Sequence, residues 1–149
     1  MIIITNKELC CGCGACYNSC PNKAIQMVED QEGFLYPEIN KTKCINCSIC
    51  EKVCPIKNIK IEEDTELIKL AAWSKNKEIR KSSSSGGIFY TIANYIIENS
   101  GVVCAAGFDE NMNVVHKIIS EKKQIKELQG SKYVQSDIGQ CNREVKKLL

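Results

Sequence analysis

Two runs of cysteine carry the residue types and the spacing that can do chemistry. The first is Cys10-x-x-Cys13-x-x-Cys16-x-x-x-Cys20-Pro21, and it repeats at a 34-residue offset as Cys44-x-x-Cys47-x-x-Cys50-x-x-x-Cys54-Pro55. Three thiolates at these intervals let a tight loop wrap three corners of a cubane, and the fourth cysteine of such a run serves the other cluster. The spacing therefore predicts two 4Fe–4S clusters, one on Cys10, Cys13, Cys16 and Cys54, the other on Cys44, Cys47, Cys50 and Cys20. Each fourth cysteine is expected to begin a helix that points away from its loop. Pro21 and Pro55 then redirect the chain, since proline fixes φ and offers no N–H. Gly12 and Gly14 leave the first loop free to approach its cluster closely. Zinc ribbons pair two Cys-x-x-Cys units and would leave the third cysteine of each run idle, so zinc is set aside. Cys11 in place of Cys10 would give Cys-x-Cys, too short for the corner geometry. It reads as a small buried thiol beside the cluster, with ligand exchange after damage as the alternative.

The rest of the composition agrees with metal rather than disulfide. Of 11 cysteines, only Cys104 and Cys141 lie outside the Cys10–Cys54 stretch. The apolar start Met1-Ile2-Ile3-Ile4 gives way at once to Thr5-Asn6-Lys7-Glu8, so no secretory leader is read and a cytoplasmic, reducing setting is expected. No apolar run approaches the ~18 residues that cross a bilayer, so no membrane span is expected. Hydrophobic residues at 44% and charged residues at 26% exclude a disordered or fibrous chain. The formal net charge of +2 counts cysteines as neutral. Two clusters, each about −2 with its thiolates, bring it to about −2, which gives no argument for nucleic acid.

These ligands need elements to hold them. Ala24 to Val28 reads as a strand, Gln31-Glu32-Gly33 as a turn, and Phe34-Leu35-Tyr36 as a returning strand ended by Pro37. Ile59-Lys60-Ile61 supplies a matching strand. Residues 1–61 are thus expected to form a bacterial-type ferredoxin domain. It is too small to bury much core, so ligation supplies much of its folding energy. Phe34 and Tyr36 read as hairpin packing. The acidic stretch Glu62 to Glu66 marks a boundary, and residues 67–149 form a second, mixed α/β domain. There Ile68 to Trp73 reads as a strand, with Trp73 packing at the domain seam. Lys75 to Lys81 is a charged stretch. Ile88 to Glu98 reads as a helix with Ile88, Phe89, Ile92, Tyr95, Ile96 and Ile97 at helical spacing, stopped by Gly101. Val102 to Phe108 reads as a buried strand, Asp109 to Asn113 as a turn, and Val114 to Ile119 as a strand. Helices follow from about Glu121 to Gln129 and from Gly139 to Leu149. The fold class is α+β: a ferredoxin-like double 4Fe–4S module followed by a truncated α/β domain.

Two loops of the second domain could bind a ligand. Ser82 to Gly87 brings hydroxyls and free amides to a helix N-terminus, a site suited to an anion. The same residues also make a serine N-cap after a flexible linker. Gly130-Ser131-Lys132-Tyr133-Val134-Gln135-Ser136 combines a glycine, a cation and an aromatic ring, or is an ordinary connecting strand. His116 sits mid-strand and reads as packing. Cys104 reads as an inert thiol in an apolar strand, and Cys141 as an exposed one. The lysines near the chain end, from Lys117 to Lys147, read as a solvated face, with partner docking as the second reading.

The double cysteine motif, the hairpin Glu32-Gly33-Phe34-Leu35-Tyr36-Pro37, the Ser84-Ser85-Gly86-Gly87 helix start and the Gly130 to Ser136 segment occur in one order. That order resembles the coenzyme F420 hydrogenase/dehydrogenase beta subunit family, in particular its ferredoxin-fused bacterial members, over Cys10 to Gly139. The resemblance implies an iron–sulfur flavoprotein that links a deazaflavin or similar two-electron carrier to one-electron acceptors. It implies a site for FAD or another flavin on Ser84, Ser85, Gly86, Gly87, Ser131, Lys132 and Tyr133. It also implies a redox partner protein, or a flavin- or deazaflavin-type electron donor. Relatives continue into a C-terminal domain that completes the cofactor site, so a separate chain supplying that domain is a further expected partner. The alternative is a stand-alone ferredoxin-type electron carrier with no catalytic activity.

Overall fold

A computed structural model describes residues 7–59 and 68–149. The chain divides into two compact units, Met1–Thr65 and Glu66–Leu149. Of the expected strand Ile59-Lys60-Ile61, the last two residues lie outside the described residues, as does the acidic stretch Glu62 to Glu66.

Among its described residues, the first unit holds a 3₁₀ turn (Lys7–Leu9), two short helices and one hairpin. Helix α1 (Ala15–Ser19) and helix α2 (Ile49–Lys52) each lie inside a cysteine run. The fourth cysteine of each run was expected to begin a helix and does not. Cys20 caps the C-terminal end of α1, and Cys54 follows α2. Prolines at the next position account for this, because a proline disfavours helical conformation in the residue before it. The helices place the third cysteines, Cys16 and Cys50, in the unit's interior with Ile25.

Strands β1 (Ile25–Glu29) and β2 (Leu35–Ile39) pair antiparallel, with Met27 opposite Pro37. Pro37 was read as ending its strand; it lies inside it. The reason is in the ladder: Asn40 N–H donates to Ala24 O and Asp30 N–H to Phe34 O. Those pairs are the hydrogen-bonded ones, and with alternation the Met27–Pro37 pair is not. The missing N–H of Pro37 faces away from β1, so the ladder loses nothing. In the tip, Asp30 accepts from the amides of Glu32 and Phe34. Phe34 is 53% exposed, so it packs less than its composition implies.

In the second unit, Ile68 to Trp73 was read as a strand, but it has no regular structure, and Ile68, Leu70 and Trp73 are exposed. No strand among the described residues pairs with it, so its β-propensity goes unused. The charged stretch after it holds a helix instead, α3 (Lys77–Lys81), capped by Asn76, whose side-chain Oδ1 accepts from the Glu78 and Ile79 amides. That cap is the helix signal the charge obscured.

Helix α4 spans Ile88–Glu98. Its buried side is Tyr90, Ala93, Ile96 and Ile97, while Phe89, Ile92 and Tyr95 are exposed, so the apolar stripe read from sequence splits between two faces. Strands β3 (Val103–Phe108) and β4 (Val114–Ile119) form an antiparallel hairpin with Val103 opposite Ile119. The expected fully buried strand is buried on one face only. Val103, Ile119, Ala93 and the helix α5 (Ile125–Leu128) residues Ile125 and Leu128 make the core. A 3₁₀ turn over Lys122–Gln124 precedes α5, with Glu121 and Gln124 forming a capping box. Helix α6 (Cys141–Leu148) closes the unit.

Ile125 has no exposed surface. Ile125→Ala should therefore destabilise the second unit by about 2–5 kcal/mol. The expected outcome is a lower urea midpoint followed by circular dichroism, and an unchanged midpoint would remove Ile125 from the core.

Candidate metal centre

The cysteine loops are shaped by left-handed backbone. Gly12 and Gly14 have φ of 62° and 65°, and the residues 34 positions on, Asn46 and Ser48, have φ of 54° and 57°. Both loops thus turn the same way, although only the first has glycines for it. Asparagine tolerates this region and serine pays about 1–2 kcal/mol for it. Sequence reading singled out the glycines and missed their counterparts, which the repeat offset points to.

These turns gather sulfur. Cys20, Cys44, Cys47 and Cys50 line one pocket, together with Pro21, Ile25, Ile39 and Ile45. Cys13 lies close enough to Cys11 and Cys54 for their charges to interact, and Cys16 to Cys13 and Cys10. Burial pushes the Cys13 thiol up and the Cys16 thiol up to about 11, with the neighbouring sulfurs adding to each. Backbone amides work in the opposite direction: Ala15 N–H donates to Cys13, and Tyr17 N–H to Cys16. Ala24 N–H likewise donates to Cys20 Sγ at 3.2 Å. Amides aimed at sulfur favour the thiolate that a metal requires, and loading releases the thiol protons. Cys11 was expected to be buried and is exposed. Among the described residues, no group of three or more His, Cys, Asp or Glu side chains converges on a single ion. A cubane places one thiolate on each of four irons, so its ligands stand wider apart than those of one ion.

Gln129, the residue just before the second candidate ligand loop, donates its Nε2–H to Ser83 Oγ of the first at 3.3 Å. Ser83 in turn donates to Ile79 O, the last turn of α3. Gly87 is the N-cap of α4 with φ of 79°, and a Cβ at Gly86 would stand 2.7 Å from the Ala72 carbonyl, so both positions require glycine. Ser84 and Ser85 are exposed at the head of α4. The second segment is oriented differently from what an anion site needs. Lys132 Nζ donates to Leu128 O and Gln129 O at 3.0 and 2.9 Å, over the Phe108 ring, and burial holds its ammonium below the ordinary lysine value. Ser131 and Tyr133 are exposed, Tyr133 at 94%. The structure brings the two segments together but turns Lys132 back onto α5.

Among the remaining candidates, His116 meets Ser136, with Nδ1 and Oγ 2.9 Å apart. Cys104 and Cys141 reverse their expected burial: Cys104 is exposed and Cys141 buried. Alternation along a one-sided hairpin puts Cys104 on the outer face, and α6 begins against β4, which covers Cys141. Among the described residues no helix is long and apolar enough to cross a membrane.

Comparison with known families gives two matches. Residues 9–63 match the 4Fe–4S dicluster domain, and residues 69–140 match the family described as coenzyme F420 hydrogenase/dehydrogenase, beta subunit N-term. No curated protein matches the chain. The two matches support an iron–sulfur electron-transfer role. The chain thus carries a 4Fe–4S dicluster domain over residues 9–63, followed over residues 69–140 by a region similar to the N-terminal part of the coenzyme F420 hydrogenase/dehydrogenase beta subunit family.

Proposed function

We propose that the chain is the electron-transfer part of a flavin-linked oxidoreductase, passing single electrons through two 4Fe–4S clusters to or from a redox partner. The observation that carries the reading is the shared pocket of Cys20 with Cys44, Cys47 and Cys50. It joins the fourth cysteine of the first run to the three of the second, which is the cross-ligation a duplicated dicluster motif uses. The reciprocal set is Cys10, Cys13, Cys16 and Cys54, supported by the proximity of Cys13 to Cys54. The clusters supply one-electron exchange. The chain's residues hold them: left-handed turns aim the loop thiols, α1 and α2 bury Cys16 and Cys50, and the amides of Ala15, Tyr17 and Ala24 stabilise thiolate.

For the flavin, the residues that fit are Ser84, Ser85, Gly86 and Gly87 at the head of α4, where hydroxyls and amides suit a phosphate. A flavin there supplies exchange between two-electron and one-electron carriers. Ser131 and Tyr133 lie on the segment tied to this turn through Gln129 and Ser83. Lys132 commits two of its three N–H donors to the Leu128 and Gln129 carbonyls, which leaves one for an anion. That inward lysine favours the second reading, a carrier that binds no flavin.

Cross-ligation makes a reciprocal prediction for iron content after anaerobic reconstitution. Cys20→Ala with Cys47→Ala should strip one cluster and retain about four irons, while Cys20→Ala with Cys13→Ala should lose both. The reverse pattern would assign each cluster to a single run.

Flavin binding separates the two functional readings. Titration of the reconstituted chain with FAD should quench flavin fluorescence saturably, and Ser85→Asp, which sets a like charge against the phosphate, should weaken binding by tenfold or more, about 1.4 kcal/mol. Fluorescence that never saturates would favour the carrier.

A further inference from the structure

Cys104 and Cys141 are separated by 37 positions (141 − 104) and meet in the second unit. Cys104 lies on β3 between Val103 and Ala105, both of which pack toward the core, so its own side chain points to the opposite face. Cys141 is the first residue of α6, and its S–H donates to the His116 carbonyl of β4 at 3.2 Å. Cys104 stands diagonally across the ladder from His116, on the face where Cys141 rests, and the two thiols lie close enough to interact. One thiol of this contact is exposed and the other buried. Neither belongs to the two cysteine runs.

Thiols on neighbouring backbone positions that share one face can form a disulfide through side-chain rotation. An accessible thiol beside a sheltered one is also the usual layout of a thiol that is attacked first and a partner that resolves the product. We propose that Cys104 and Cys141 are a reversible thiol–disulfide pair that reacts with small-molecule disulfides of the glutathione type, Cys104 as the entry thiol and Cys141 as the resolving thiol. In the first step Cys104 sulfur bonds to one sulfur of the small disulfide, whose S–S bond breaks and releases one thiol. Cys141 sulfur then bonds to Cys104 sulfur and displaces the second thiol. Two protein thiols lose two electrons and two protons, and the small disulfide gains both, becoming two thiols. The product ties the start of α6 to the outer face of β3.

The order of attack follows from the surroundings. Burial pushes the Cys141 thiol up to about 11, with Cys104, Glu144 and Asp137 adding to it, so Cys141 stays protonated and sheltered until its neighbour has reacted. Its S–H is in addition held by the His116 carbonyl.

The test uses the full chain, reconstituted anaerobically, treated with oxidised glutathione, alkylated and mapped by peptide mass spectrometry. The expected result is one linkage joining the Cys104 and Cys141 peptides, loss of both alkylation sites, and their return after dithiothreitol. Cys141→Ser should stop at a glutathione adduct on Cys104, and Cys104→Ser should leave Cys141 unmodified over the same time. A persistent glutathione adduct on Cys104 of the unsubstituted chain, continued alkylation of both thiols, or Cys104 linked instead to Cys11 would each overturn the proposal. Modification of Cys141 in the Cys104→Ser chain at the unsubstituted rate would overturn the assigned order.

Discussion

Among the described residues of the first unit, buried hydrocarbon is scarce. Their buried apolar set is Cys16, Ala24, Ile25 and Cys50, while Leu9, Phe34 and Ile45 are largely exposed. A domain of this size buries too little surface to offset its conformational entropy, and small folds of this kind draw on metal ligation. Sulfur therefore occupies the place that leucine and valine hold elsewhere. The helices α1 and α2 are too short to be stable alone, and each survives by presenting its cysteine to that interior. Even the hairpin answers to this constraint, since Ile25 and Ile39 pack beside the cysteines.

The second unit is built on the opposite principle. Ile125 and Leu128 of α5, Ala93 of α4 and Val103 and Ile119 of the hairpin form an ordinary hydrocarbon core. Because that core lies on one face of a two-stranded sheet, the other face is left for polar and sulfur chemistry. His116 meets Ser136 there, and Cys141 reaches the His116 carbonyl. The loops at the head of α4 and after α5 are linked by Ser83 and Gln129, so the core also sets the geometry of the candidate cofactor turn.

Much of this was legible in the chain. The 4Fe–4S dicluster domain could be read because its cysteine spacing is local: three cysteines of each run fall within one tight loop, and the motif does not depend on distant residues. The bounds of α4 and of the β3–β4 hairpin were legible for the same reason, since periodicity and turn residues are local. Pro37 misled because its effect depends on ladder phase, which alternation along one strand does not reveal. The segment Ile68 to Trp73 misled because β-propensity counts only when a partner strand is present.

The sequence by itself determined the metal chemistry, the duplication and the order of the two domains, all of which follow from residue type and spacing. Tertiary structure decided which side chains meet. It turned Lys132 inward onto two carbonyls, exposed Cys104, buried Cys141 and brought the two thiols near one another. The physical reason is that burial and contact depend on which face of an element finds a neighbour, and that is settled by packing between segments far apart in the chain.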